Sequence, residues 1–366
     1  MNPLLELAQA GQSVWLDFIT RRFVEEGKLA RLVDNDGLGG VTSNPTIFQK
    51  AITGGAEYDE ATLRLIKDGK DAHAIYEALA VADIQTACDA LLLVYEKTQG
   101  ADGFVSLEVN PRLARDSEGT SREAVDLSRR VARKNLMIKI PATREGLPAI
   151  ERTLAEGISV NVTLIFSLER YREVIDAWAA GMKGAAKAGK DLSTIGSVAS
   201  FFVSRVDAMI DPLVEKLGKP ELAGKAAIAN AQLAYDLFLR SRQGPAFREL
   251  FGKGARPQRP LWASTSTKNP KYRDVLYVEE LIGKDTVNTV PPQTLDAFRD
   301  HGKARDALPG TAQAATDVMQ QLERAGVDMV QVTKRLEEEG VAAFVDSYEQ
   351  LLASIEAKRK TLVAAR

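Results

Sequence analysis

The chain has 366 residues, with 48 lysines and arginines against 50 aspartates and glutamates, so its formal charge is −2. A charge so close to zero argues against a nonspecific nucleic-acid binder or a membrane-surface protein, and we expect neither kind of partner. One cysteine and two histidines exclude a disulfide framework and leave too few ligands for a thiolate zinc site, so no metal is expected.

Export and membrane signals are not recognisable in the sequence. The first residues lack the basic segment and the uninterrupted apolar run of a secretory signal. No stretch approaches the roughly 20 apolar residues that span a bilayer. These observations predict a cytoplasmic protein.

Eight short apolar runs are separated by longer segments with helical periodicity. Their β-branched and aromatic residues, and their glycine, proline or asparagine flanks, favour strands over helices. The runs cover residues 13–19, 38–45, 103–109, 135–142, 158–166, 194–202, 260–265 and 286–292.

Helices are expected between these runs, and Thr120-Ser-Arg-Glu123 has the form of a capping box that opens one of them. Eight strands alternating with helices predict an α/β protein, a single (β/α)8 TIM barrel over residues 1–366. The rival is an open doubly wound sheet, which usually carries a glycine-rich phosphate loop that this sequence lacks. Residues 293–366 are predicted to form a helical C-terminal extension packed on the barrel.

Lys139 is the most unusual polar residue, because it interrupts the apolar run Leu-Met-Ile-Lys-Ile-Pro-Ala. In a barrel, functional residues lie at the C-terminal ends of the strands. Burying an unpaired ammonium is costly, and a buried amine that has lost its proton is a nucleophile that forms Schiff bases with carbonyl substrates. The alternative is a purely structural ion pair with Asp17 or Glu108, and Lys139 alone leaves both interpretations open.

Asp17 and Glu108 interrupt two other apolar runs, which makes each a candidate general acid or base. Asn44, Asn161 and Thr163 are suited to hydrogen-bonding a polyhydroxylated substrate. Taken singly, Asn44 is equally a turn residue before a proline, and Thr163 is an ordinary strand residue. A buried amine with two inward carboxylates and these polar neighbours is a much rarer combination.

Phosphate binding is expected after the late strands of a barrel. Arg205 follows the sixth run and its Ser200, and the loop from Ser264 to Lys268 follows the seventh run. Hydroxyls, backbone N–H groups, a guanidinium and an ammonium make a plausible phosphate cradle. The alternative is a solvated Ser/Thr loop beside a surface arginine.

Five motifs, in this order, resemble those of the transaldolases, and the similarity looks closest to the longer bacterial branch of that family. The motifs are GVTSNPTIFQKAI, SLEVNPRLA, MIKIPAT, ISVNVTLIFS and ASFFVSRVD. The resemblance runs from about residue 13 to residue 292. It implies a (β/α)8 barrel of the class I aldolase type that needs neither a metal nor an organic cofactor.

The resemblance also implies roles for the catalytic candidates. The Schiff-base lysine of the family stands in the KIPAT motif, at Lys139 here. Asp17 corresponds to the acid/base that handles the sugar hydroxyl proton during carbon–carbon cleavage. Glu108 resembles the glutamate that, with Thr163 and a water, shuttles protons while the imine forms.

Binding residues follow from the same motifs. Asn44 and Asn161 match asparagines that hold the dihydroxyacetone portion of the substrate. Ser200 and Arg205 match the serine and the phosphate-binding arginine of the sixth-strand motif. The implied partners are sugar phosphates, and the chain is expected to be a monomer or a homodimer.

Departures from the family pattern affect the phosphate end. Phe201 and Ser204 stand where the sixth-strand motif commonly has proline and glycine. The seventh-strand loop reads ASTSTKN rather than the ASFRN of the shorter bacterial enzymes, so Ser264 and Lys268 are the groups it offers to a phosphate. Phe202 occupies a position where fructose-6-phosphate aldolases tend to carry tyrosine, which favours transfer over simple aldol cleavage.

The expected reaction is transfer of a dihydroxyacetone unit from sedoheptulose 7-phosphate to glyceraldehyde 3-phosphate. A simple Schiff-base aldolase, which would release free dihydroxyacetone, is the nearest alternative. A metal-dependent lyase or hydrolase would use Asp17, Glu108 and Asn44 as oxygen ligands to Mg²⁺. A non-catalytic barrel that binds sugar phosphates would bind without turnover, but it leaves the buried amine unexplained.

Overall fold

Eight strands alternate with helices along residues 2–364, the part of the chain that the computed structural model describes, with side chains through residue 362. Every strand is parallel to its two neighbours, and the first strand pairs with the eighth, so the sheet closes. The predicted (β/α)8 barrel is therefore confirmed. The strands are β1 (Gln12–Leu16), β2 (Gly40–Thr42), β3 (Phe104–Glu108), β4 (Leu136–Pro141), β5 (Val160–Ile165), β6 (Ser197–Phe202), β7 (Arg259–Ala263) and β8 (Thr286–Val290).

Helices surround the barrel and continue beyond its last strand. In chain order they are α1 (Pro3–Gln9), α2 (Arg21–Glu25), α3 (Lys28–Asp36), α4 (Pro45–Thr53), α5 (Asp59–Lys67), α6 (Ala72–Lys97), α7 (Ser117–Val131), α8 (Gly146–Ala155), α9 (Leu168–Lys187), α10 (Ser204–Lys216), α11 (Ala226–Ser241), α12 (Pro245–Gly252), α13 (Leu276–Glu279), α14 (Pro292–His301), α15 (Ala312–Arg324) and α16 (Met329–Ala364).

The strands are shorter than the apolar runs that predict them, because the last residues of several runs leave the ladder. In the run 38–45, only Gly40–Thr42 is strand, and Asn44 caps α4 with its side-chain oxygen. Strand residues are almost all buried, as expected for a parallel sheet covered by helices. Trp15 and Trp262 lie inside this core with no exposed surface.

The capping box predicted at Thr120–Glu123 is wrong, because α7 begins at Ser117. Asp116 caps this helix and accepts hydrogen bonds from the backbone N–H groups of Glu118 and Gly119. The Glu123 carboxylate instead accepts the backbone N–H of Asn110 at 3.0 Å. A tertiary contact thus uses the acidic group that the local pattern assigns to a helix start.

α6 is long and apolar enough to cross a membrane by length and composition, contrary to the sequence expectation that no segment is. It packs against β3, α7 and α16. Ile75, Ile84, Cys88 and Leu91 on this helix are fully buried. These contacts are those of a core helix, which satisfies the same criterion of length and apolarity.

The extension after β8 ends in the 36-residue helix α16. This helix packs along α4, α6 and α10 and reaches the end of β5. Gly340 lies so close to β5 that an added Cβ atom would stand 3.0 Å from the Leu164 side chain. α16 therefore crosses the C-terminal mouth of the barrel, where Phe344 enters the central cavity.

Candidate active site

A cavity of about 460 Å³ opens at the C-terminal ends of the strands. Nine of the eleven predicted site residues line it, and the other two, Glu108 and Asn161, contact residues that do. The nine are Asp17, Asn44, Lys139, Thr163, Ser200, Phe202, Arg205, Ser264 and Lys268. The strand order alone brings these residues together, because the carboxyl ends of all eight parallel strands meet at this mouth.

Lys139 lies within β4, paired in register with Glu108 on β3 and Asn161 on β5. The side chain is only 6% exposed. Its Nζ atom donates to the Ser43 carbonyl oxygen at 3.3 Å and lies 3.4 Å from Glu108 Oε2. The aromatic ring of Phe344 covers it, with the ring centroid 5.5 Å from Nζ. The amine is thus held in one place and nearly removed from solvent.

Glu108 ends β3 and lies below the cavity floor, with Lys139 as its close charged neighbour. Burial raises the pKa of its carboxyl to about 7, although the positive charge of Lys139 acts in the opposite direction. A carboxyl group that titrates near neutral pH both accepts and donates protons readily. Glu108 is therefore positioned to exchange a proton with Lys139.

Asp17 directly follows β1 and continues the ladder, since its backbone N–H donates to the Val290 carbonyl at 2.8 Å. Burial raises the pKa of its carboxyl, opposed by Lys139 and by a hydrogen bond from Thr42. Thr42 Oγ1 donates to Asp17 Oδ1 at 2.7 Å and lies 2.7 Å from Thr289 Oγ1. Since Thr42 uses its only hydroxyl proton on Asp17, Thr289 must donate to Thr42.

Thr163 points into the cavity from an irregular part of β5. The register with β6 shifts between Val162 and Ile165, and Leu164 adopts a left-handed conformation with φ of 59°. Such bulges cost energy and are used near active sites to redirect a side chain. Thr163 Oγ1 is buried and has no hydrogen-bond partner among the described residues, which leaves it free for a substrate.

The two predicted asparagines differ in their placement. Asn44 lines the cavity, and its side-chain oxygen accepts the Ile47 backbone N–H at 3.1 Å. Asn161 is fully buried, and its side-chain amide hydrogen-bonds two neighbouring serines. Asn161 Nδ2 donates to Ser106 Oγ at 3.0 Å, and Ser200 donates to Asn161 Oδ1 at 2.7 Å. Asn161 thereby holds Ser200 at the cavity wall.

Positive charge lies at the outer end of the cavity. Arg205 occupies the first turn of α10, with its guanidinium 5.2 Å above the Phe202 ring, and burial lowers its pKa. Lys268 is exposed and donates to Ser266 Oγ at 3.0 Å. Ser264 adopts a left-handed conformation with φ of 56° as β7 turns into this loop. This group of cavity residues is thus suited to an anion.

The sequence did not predict the three cavity residues that order Asp17 or cover Lys139. Thr42 and Thr289 order Asp17, but threonine is common in strands and gives no separate signal. Phe344 belongs to the C-terminal extension, where nothing in the sequence connects it with Lys139. Within residues 2–364, no three His, Cys, Asp or Glu side chains group together as a metal site would need.

The chain is similar to proteins of one family along nearly its whole length. The family model for transaldolase/fructose-6-phosphate aldolase matches residues 14–355. A transaldolase from Parafrankia sp. is 52% identical over 358 residues, 97% of each chain. One from Thermobifida fusca is 52% identical over 355 residues, 96% of each chain. One from Mycobacterium leprae is 50% identical over 357 residues, 96% of this chain and 95% of the other.

Among solved structures, a citrate lyase from Burkholderia xenovorans aligns with 68% of this chain and 91% of its own. Its TM-score of 0.26 and its 10% identity carry no argument about fold or function. The family model and the relatives, by contrast, span nearly the whole chain. This chain is an enzyme that belongs to the transaldolase/fructose-6-phosphate aldolase family.

Proposed function

We propose that this enzyme is a transaldolase of the non-oxidative pentose phosphate pathway. It transfers a dihydroxyacetone unit from sedoheptulose 7-phosphate to glyceraldehyde 3-phosphate, giving erythrose 4-phosphate and fructose 6-phosphate. The relatives named transaldolase support this reaction. The observation that carries it is the amine of Lys139, which lies buried between Glu108 and the cavity that Asp17 lines.

The first step joins Lys139 to the ketose. The unprotonated Nζ attacks the C2 carbonyl carbon, a carbon–nitrogen bond forms, and the oxygen leaves as water to give an imine. Glu108, 3.4 Å from Nζ, takes a proton from nitrogen and returns one to the departing oxygen. The free hydroxyl of Thr163 supports this transfer. A carboxyl group with a pKa of about 7 serves in both directions.

The second step breaks the C3–C4 bond. Asp17 accepts the C4 hydroxyl proton, the aldose leaves, and the bonding electrons pass into the imine to form an enamine. Asp17 is ready for this role because the hydroxyls of Thr289 and Thr42 fix its orientation. The enamine carbon then attacks the acceptor aldehyde, and Asp17 returns the proton to the new hydroxyl oxygen. Water finally adds to the imine carbon, the carbon–nitrogen bond breaks, and the ketose product leaves with Lys139 restored as the amine.

Substrate orientation is assigned to the remaining cavity residues. Asn44 and Ser200 hydrogen-bond the dihydroxyacetone portion, and Asn161 acts through Ser200. Arg205, with Ser264 and Lys268, faces the phosphate at the outer end. A guanidinium and hydroxyls are suited to phosphate oxygens. The electron sink is the lysine imine, so the proposed mechanism uses no metal or organic cofactor.

Location and assembly remain predictions. We infer a cytoplasmic enzyme, since the relatives are enzymes of sugar metabolism and α6 is packed as a core helix. A monomer or a homodimer is the expected assembly, with sugar phosphates as its partners and neither nucleic acid nor membrane.

The test is a product analysis with fructose 6-phosphate as donor. With erythrose 4-phosphate present, a transaldolase forms sedoheptulose 7-phosphate and glyceraldehyde 3-phosphate. Without an acceptor, little free dihydroxyacetone should appear, and a chelator should not slow turnover. Efficient release of dihydroxyacetone without an acceptor would instead establish an aldolase, and binding without turnover would overturn the proposal. Phe202 at the cavity wall favours transfer over the aldolase alternative.

A further inference from the structure

Phe344 is the residue of the C-terminal extension that reaches the reactive centre. Its ring lines the cavity, is 7% exposed, and lies 5.5 Å from Lys139 Nζ. Nζ also lies 3.3 Å from the Ser43 carbonyl oxygen and 3.4 Å from the Glu108 carboxyl, which are both polar and buried. Phe344 is therefore the apolar cover between Lys139 and the mouth of the cavity.

The position of this ring is fixed by the packing of α16. Gly340 lies one helical turn before Phe344 on the same face, and its missing side chain allows the helix to approach Leu164 closely. On the far side, Thr46 Oγ1 donates to Ser347 Oγ at 2.9 Å, which joins α16 to the start of α4. The helix is thus held across the mouth at both sides of the ring.

The enamine on Lys139 has two possible fates after the first aldose leaves. In transfer, its carbon bonds to the acceptor aldehyde. In release, the same carbon takes a proton, a water oxygen bonds to the imine carbon, and the carbon–nitrogen bond breaks. Release consumes one water and frees both dihydroxyacetone and the lysine amine. Transfer also ends with hydrolysis of an imine on Lys139, so the step that is unique to release is delivery of a proton to the enamine carbon.

We propose that Phe344 determines this partition by keeping water that could supply this proton away from the enamine carbon. The proposal rests on the proposed function and extends it to a residue outside the barrel. A phenylalanine side chain offers no hydroxyl to order a water, and its ring lies over Lys139 Nζ in the cavity lining. Closing a site to water is a recognised means of preventing hydrolysis of reactive intermediates.

The test is a graded series, Phe344→Leu, Phe344→Val and Phe344→Ala. For each variant, free dihydroxyacetone formed from fructose 6-phosphate without acceptor is compared with transfer to erythrose 4-phosphate. The ratio of release to transfer should rise in the order Leu, Val, Ala, reaching about tenfold for alanine, equivalent to ~1.4 kcal/mol between the two barriers. Leucine should stay near the original ratio, because it restores apolar volume without an aromatic ring.

The matched control is Leu351→Ala, which removes a fully buried side chain from the same helix outside the cavity. It should lower thermal stability while leaving the ratio unchanged. The proposal would be overturned if Phe344→Ala left the ratio of release to transfer unchanged, or if Leu351→Ala raised it equally. It would also be overturned if Phe344→Leu released as much dihydroxyacetone, relative to transfer, as Phe344→Ala. Failure of the unaltered enzyme to transfer at all would instead overturn the proposed function.

Discussion

The two ends of the barrel carry polar groups that are arranged in opposite ways. At the N-terminal end, Asp102 accepts Trp15 Nε1–H at 2.7 Å and lies 3.4 Å from Arg259. Arg259 also donates to Ser13 Oγ at 2.9 Å. At the C-terminal end, Glu108 has Lys139 as its close charged neighbour, at 3.4 Å.

The polar groups at one end of the sheet thus stabilise the fold, and those at the other end are available for catalysis. The charges at the N-terminal end are paired with one another, so they stabilise the fold. Those at the mouth keep unused hydrogen-bonding capacity, as Thr163 Oγ1 and the Glu108 oxygens do. Incompletely paired buried groups cost stability, and they are retained where a substrate completes them.

Apart from replacement of Lys139 itself, the largest effect on turnover is expected at the mouth, from Asp17→Asn. Turnover should fall about 10²–10⁴-fold, because the amide cannot accept the C4 hydroxyl proton. The fold should persist, since the amide oxygen still accepts the hydrogen bond from Thr42. Steady-state kinetics give the loss, and borohydride reduction should still trap some substrate on the enzyme. Complete loss of trapping would assign Asp17 to imine formation instead.

Glu108→Gln is expected to lower kcat/KM by a smaller factor and to change its pH dependence. In the unaltered enzyme, the pKa of about 7 makes kcat/KM rise as the pH increases through neutrality, because the first step needs the carboxylate as base. In the variant, kcat/KM at pH 8 should be about 10²-fold lower, and its rise with pH should disappear. If kcat/KM of the variant still rose with pH through neutrality, a group other than Glu108 would control the pH dependence.

The smallest kinetic effect is expected at the N-terminal end, from Arg259→Ala. Removing the guanidinium leaves Asp102 with less compensation, so the free energy of unfolding should fall by about 1–3 kcal/mol. The kcat and KM should be unchanged, because no part of this cluster reaches the cavity. Chemical denaturation measures the free energy of unfolding, and a transfer assay measures kcat and KM. A large loss of kcat without loss of stability would remove the contrast between the two ends.

The barrel and most of its site were predictable because their signals are local. Lys139 and Glu108 interrupt buried strands, and a charge there stands out against apolar neighbours. The parallel topology then brings such residues to one mouth without further information. The strand ends were less predictable, since Asn44 leaves the ladder to cap a helix.

The remaining features depend on contacts between distant segments. Phe344 reaches Lys139 only because α16 crosses the mouth, and the helical pattern of that segment says nothing about where it packs. The capping box at Thr120 fails for the same reason, since Glu123 is used by Asn110. Asn161 matched a substrate-binding motif, yet its amide is occupied by Ser106 and Ser200, which the sequence does not reveal.

The most direct measurement is borohydride reduction in the presence of fructose 6-phosphate, followed by peptide mapping of the modified protein. A covalent three-carbon adduct should be found on Lys139, the buried amine of β4. Lys139→Ala and Lys139→Arg should form no adduct and catalyse no transfer, because neither offers a nucleophilic amine. An adduct on another lysine, or transfer activity retained in Lys139→Ala, would contradict the Schiff-base mechanism.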